Sequence, residues 1–153
     1  ECIDGYRAGL AKGTQMAPRR TEHMGLYVAT AFCAETREEA VRVAREVAEG
    51  YFQFILDIYV PLGKRSSYEY LDAKMQRLLD NEKNLDYLLY ETPSVMIGTP
   101  DDFKERLARL EEMGVEEVLL RVDGVPHADI MKSFELMGHE VIPAVDPAAK
   151  RAA

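Results

Sequence analysis

At 153 residues and 47% hydrophobic content, the chain has the size of one domain and enough apolar material to bury a core, which excludes a disordered tail. A formal charge of −8 argues against nucleic acid and anionic membranes as main partners, although a local basic site for a phosphate is compatible with it. No apolar run approaches membrane-spanning length and no signal peptide precedes the first helix, so a cytoplasmic protein is expected.

In chain order, Ile3, Tyr6 and Leu10 lie on one side of a short helix ending near Gly13, and Thr14 to Arg20 reads as a loop. Leu26 to Phe32, LYVATAF, has the Tyr, Val, Thr and Phe content of one strand. Thr36 and Glu39 then stand in capping-box spacing, and Val41, Ala44, Ala48, Tyr51, Phe52, Ile55 and Tyr59 trace the apolar face of a helix that Pro61 and Gly63 end. Gly50 inside it is either a weak point or a close-packing contact.

From Gly63 to Pro93 the character changes. Ser66 and Glu69 repeat the capping pattern, and Leu71, Met75, Leu78 and Leu79 predict another helix. A connection of this length is either a lid or binding loop, or an extra helix pair. The clearest stretch follows, Ile97 to Gly124. Thr99 caps, Pro100 fits the first helical position, and Asp101 and Asp102 face the positive end of the dipole. Phe103, Leu107, Leu110 and Met113 predict the buried stripe, with Asp102/Arg106 and Glu105/Arg109 as ion pairs on the wet faces. Gly114 supplies the left-handed turn, and Val115 to Val122 reads as a strand covered on both faces. A last helix buries Ile130, Phe134, Met137 and Val141 and is ended by Pro143. Helix, turn and buried strand together predict parallel α/β architecture.

Residues that carry chemistry are sparse. His23, His127 and His139 lack metal-ligand spacing, Cys2 and Cys33 read as small apolar fillers, and no metal site is expected. Lys64, Arg65, Tyr68 and Tyr70 combine cations with aromatics, as an anionic planar ligand requires; a solvated helix start with exposed tyrosines is the alternative. Arg121, Asp123 and Gly124 follow the strongest strand, at the carboxyl edge where parallel α/β folds bind ligands. No G-x-G-x-x-G, P-loop, G-x-S-x-G or C-x-x-C is present.

The order of pieces is more specific: a strand into AETREEA, a helix ending FILDIY, a long segment ending DYLLYE, then IGTPDDFKERLARLEEMGVEEVLLRV and SFELMGHEVIP. From about Leu26 to Val145 it resembles the carboxyl-terminal part of the bacterial luciferase-like flavin monooxygenase family, most specifically in IGTPDD and the Ser-Phe-Glu-Leu…Glu-Val-Ile-Pro ending. The resemblance implies the carboxyl-terminal portion of a (β/α)8 TIM barrel, helix-rich with few parallel strands, whose last two barrel strands are Leu26–Phe32 and Val115–Val122. It implies reduced FMN, or in some branches F420, as cofactor, a small organic substrate, and a lid-like insertion over 63–92. Arg121 and Asp123 become the candidate cofactor-binding residues, and Lys64, Arg65, Tyr68 and Tyr70 the candidate lid residues. The family's catalytic histidine has no counterpart in this sequence, so no catalytic residue carries over. A full barrel takes roughly 200 to 400 residues; the chain thus reads as the last part of such an enzyme, inactive alone. Too few strands to close a barrel also predict a homo-oligomer. A non-catalytic α/β binding or oligomerisation module is the alternative.

Overall fold

The computed structural model describes residues 2–12, 23–65, 72–81, 83–92 and 94–146. Tyr68, Tyr70, Leu71 and the Ser66/Glu69 pattern lie outside the described residues. The elements in chain order are α1 (Cys2–Lys12), β1 (Gly25–Val28), β2 (Thr30–Cys33), α2 (Arg37–Val43), α3 (Glu49–Gly63), α4 (Asp72–Asp80), β3 (Val95–Gly98), α5 (Pro100–Glu112), β4 (Glu117–Leu120), α6 (His127–Leu136) and α7 (Ile142–Val145). A π-helical turn, Ala44–Ala48, joins α2 to α3 without a break; another, Met137–Val141, joins α6 to α7, and a third spans Tyr87–Glu91. The fold is helix-rich α/β with short parallel strands.

The stretch read as one strand is two strands in series. β1 pairs in parallel with β4, from Gly25↔Glu117 to Val28↔Leu120, and β2 pairs in parallel with β3, from Thr30↔Val95 to Cys33↔Gly98. Arg121 donates its N–H to Val28 O at 3.1 Å and accepts from the Ala31 N–H at 2.9 Å. A regular parallel ladder would use Val28 and Thr30 there, so Ala29 is an extra residue, a bulge. The packing shows the same slip: Val28 shares one cluster with Ala31 and Cys33, whereas an unbroken strand would turn Ala31 to the other face. β3 escapes the sequence reading altogether, because VMIG is four residues long and runs directly into the cap of α5.

One face of the sheet packs Val28, Ala31, Cys33 and Met96 against Phe103 of α5 and against Met137 and Val141. The other packs Phe32, Val95 and Ile97 against Ala40, Val43, Ala44, Ala48, Phe52 and Leu56. Leu78 of α4, Leu88 and Leu89 join this second cluster, so the described part of the 63–92 segment is built into the core. Nothing lies within 4 Å of a Cβ placed at Gly50, which makes it a weak point of the helix and not a packing contact.

α5 forms as its sequence directs. Asp102 Oδ2 accepts the Thr99 N–H at 2.8 Å while Thr99 Oγ1 faces the Asp102 N–H, and Val115 N–H reaches back to Leu110 O at 3.0 Å around Gly114, whose φ is 87°. The predicted Asp102/Arg106 pair does not form, because Asp102 is committed to the cap. Arg106 instead turns inward and donates to the carbonyls of Leu89 and Thr92, the latter at 2.8 Å, tying α5 to the preceding segment. Glu105 and Arg109 do pair, at 2.9 Å. Met113 is the C-cap and lies exposed, beyond the buried stripe.

Three further expectations are corrected. β4 is not covered on both faces: among the described residues it is an edge strand, and its Leu119 is 51% exposed. In α6 the buried position is Ser133, not Phe134; its Oγ accepts the Cys33 N–H at 2.8 Å, so the hydroxyl sits where apolar bulk was expected. Pro143 does not stop the helix either. The Ile142 N–H bonds Met137 O in a widened turn, and Pro143 follows in the first turn of α7, where its missing N–H costs little.

Candidate functional site

The carboxyl end of the β1–β4 pair is where the strands, the π-helical turn of the long helix and the turn at Gly124 converge. Gly124 has φ of 82°, which favours glycine, and a Cβ on it would lie 3.0 Å from Val47 Cγ1, so a side chain there would also push on the helix. The turn that carries Asp123 is thereby pressed against the π-helical segment.

Alternation along β4 sends Leu119 and Arg121 to the same side, the side on which Tyr27 stands directly opposite Leu119. Tyr27 is 58% exposed. Arg121 Nε donates to Asp123 Oδ2 at 2.8 Å. The hydrogen bond to Asp123 and its charge raise the Arg121 pKa, and Tyr27 adds a smaller contribution. The Tyr51 hydroxyl is also pushed up, first by burial and then by Tyr27, with Arg121 opposing. Tyr27, Tyr51, Arg121 and Asp123 thus form one aromatic and charged group on an open face. The Arg121–Asp123 pair is half-exposed, and solvent screening leaves such a pair weak, so an incoming anion can take the guanidinium from Asp123.

Lys64 and Arg65 lie elsewhere. They close the carboxyl end of α3, both exposed, with the Arg65 N–H on Leu62 O at 2.9 Å. From Tyr51, which neighbours Arg121, they are separated by roughly 20 Å along the helix axis at 1.5 Å per residue. The structure therefore does not bring the two sets of cations together. Tyr68 and Tyr70 fall outside the described residues.

Among the described residues no three His, Cys, Asp or Glu side chains converge as metal ligands, and no helix is long and apolar enough to cross a membrane. Cys33 is enclosed, and burial, with smaller contributions from Glu140 and Asp102, raises its thiol pKa to about 12, which keeps it protonated and unreactive. His23 sits at the opposite, amino-terminal end of the strands, with Nδ1 2.9 Å from Glu116 Oε2 and Nε2 3.1 Å from Glu117 Oε2. Hydrogen bonds to Glu117 and Glu116 raise its pKa. It ties the segment before β1 to the start of β4.

Tyr27 and Tyr51 are the members of the group that sequence reading overlooked. Tyr27 is signalled by its place between Leu26 and Val28, which alternation turns to the other face; Tyr51 was absorbed into the apolar stripe of its helix and stands at the rim of the core. Compared with protein-family models, with curated proteins and with solved structures, the chain matches none.

Proposed function

We propose that the chain is part of a luciferase-like, flavin-dependent monooxygenase or oxidoreductase, which oxidises a small organic substrate with reduced FMN or F420 bound at the carboxyl ends of its parallel strands. The observation that supports this reading is the parallel pairing of β1 with β4 beneath Arg121 and Asp123. Parallel strands flanked by helices place their ligand at that edge; β3 and α5 lie between the two strands in sequence, so the support is the shared carboxyl edge and not a succession of barrel strands. Tyr27 and Leu119 offer an apolar surface to a planar ring system, and Arg121, released from Asp123, offers a cation to a phosphate or a carboxylate. The role proposed for these residues is to bind and orient.

Flavin fluorescence titration tests it, on these 153 residues and on the polypeptide extended through its own reading frame upstream of Glu1. Binding is expected to be weak or absent in the first and micromolar or tighter in the second, with Arg121→Ala weakening it about tenfold, the worth of one charge-assisted contact. An extended polypeptide that ignores both FMN and F420 overturns the reading. The alternative of a non-catalytic oligomerisation module is favoured by one feature, the edge of β4 that no strand among the described residues pairs.

A further inference from the structure

β4 has β1 on one side and no strand on the other among the described residues. Glu117 donates its N–H to Met24 O and Arg121 to Val28 O, so the odd-numbered residues bond inward. By the alternation of a parallel ladder, Val118 and Leu120 turn both their N–H and their C=O groups outward. This edge carries none of the usual guards, neither proline nor lysine nor a bulge, over EVLL. It is also open on one face and flanked by a cleft on the other. Leu119 and Tyr27 are uncovered on one face, and on the other a cleft of about 600 Å³ runs beside Val118, between the end of α5 and Val145.

We propose that a second copy of this chain fills the edge, with the two β4 strands pairing antiparallel about a two-fold axis at Leu119. Antiparallel pairs exchange hydrogen bonds only where both residues point at each other, so Val118 and Leu120 must face Leu120 and Val118 of the other copy, or each face itself. Charge selects among these registers. With Leu119 opposite Leu119, Glu117 of each copy stands across from Arg121 of the other, on the same face, giving two opposite-charge cross-strand pairs flanking an apolar centre. Shifting by two residues in either direction breaks both pairs, setting Leu119 across from Glu117 or from Arg121. The sequence Glu117–Val118–Leu119–Leu120–Arg121 is thus complementary to itself when reversed, which is what a two-fold interface requires. Leu120 of each copy lies over Val118 of the other, beside the cleft. The proposal does not rest on flavin binding, and its test reads mass, so either can fail without the other.

Sedimentation and light scattering of the 153-residue chain from about 1 to 100 µM, a range that brackets weak and moderate affinities, provide that test. The parent chain is expected to form a dimer. Glu117→Arg and Arg121→Glu should each weaken it about tenfold or more, since each turns two attractive pairs into two repulsive ones. The double exchange Glu117→Arg with Arg121→Glu should restore it. Restoration is diagnostic, because the exchange does not return the bonds of Glu117 to His23 or of Arg121 to Asp123. Mixing the two single variants, each checked for its helical circular dichroism, should also give a dimer, pairing an all-basic edge with an all-acidic one. A parent chain that stays monomeric to 100 µM overturns the proposal and leaves the edge to a strand of different sequence. Single variants that dimerise as well as the parent overturn the register.

Discussion

The two halves of the sheet differ in cover, although one stretch of chain, Gly25 to Cys33, runs through both. Around β2 and β3 every residue is buried, with α5 and α6 below and the long helix, Leu88 and Leu89 above. Around β1 and β4 only one side is packed, and Tyr27 and Leu119 look outward from the other. The first half is built to hold the fold together. The second leaves a surface, an edge and a charged turn open among the described residues, and the proposed flavin site and dimer edge both fall on it.

Truncation should separate the halves most sharply. Phe32→Ala removes a ring that is 3% exposed and should cost about 3–5 kcal/mol, whereas Tyr27→Ala, on the same face of the same stretch, should cost about 1 kcal/mol or less, the value of a cross-strand pair. Urea melts of the two variants check this. Equal losses would mean that the β1–β4 half is covered in solution by something the isolated chain recruits.

A smaller effect is expected at Ser133, whose hydroxyl accepts the Cys33 N–H in the covered half. Ser133→Ala leaves a buried donor without a partner and should cost about 1–3 kcal/mol. Ser133→Thr, which keeps the hydroxyl, should retain part of that stability if the helix admits the extra methyl. Amide exchange at Cys33 should quicken in the alanine variant. An unchanged rate would show that a bond to Ser133 is not what protects this end of β2.

Least in size, and opposite in sign from the usual carboxylate effect, is the pH response of the open half. His23 has its pKa raised above the ordinary 6.5 by Glu117 and Glu116. The folded chain therefore holds that proton more tightly than the unfolded one. Its stabilisation is complete below pH 6.5 and is lost as the pH climbs through the raised value. Thermal melts from pH 6 to 8.5, roughly spanning that range, should fall in the parent and flatten in His23→Gln. A parent melting temperature that rises over the same interval would show that the imidazole is not bound between the two carboxylates.

The α5 unit was legible because its signals are local: Thr99, Pro100 and Gly114 each act on their own backbone. What escaped is non-local. The Ala29 bulge shows only in which residues pack together, and VMIG is too short to declare itself without its partner β2. Phe134 and Ser133 exchange places because a strand end needs an acceptor, which no periodicity encodes. Arg121 and Asp123 lie at the carboxyl end of the strand pair, as their place after β4 implies, whereas Lys64 and Arg65 lie well down the helix, a distance that residue type does not encode. Leu119 was read as buried because a run of apolar residues looks the same in a central strand and at an edge.

The splice of two ladders along one stretch of chain also orders events during synthesis. A ribosome delivers Thr30–Cys33 and later Val95–Gly98, at which point the covered half has both its strands and the long helix needed to close its upper face. β1 is already made by then, but its partner arrives only with Glu117–Leu120. Through the whole interval in which α5 is being extruded, the amino-terminal half of the stretch is held in line by its neighbour while its own edge stays bare. The nascent chain thus carries a half-closed core and a waiting strand together, and Leu26 and Val28 stay uncovered until α5 packs on them.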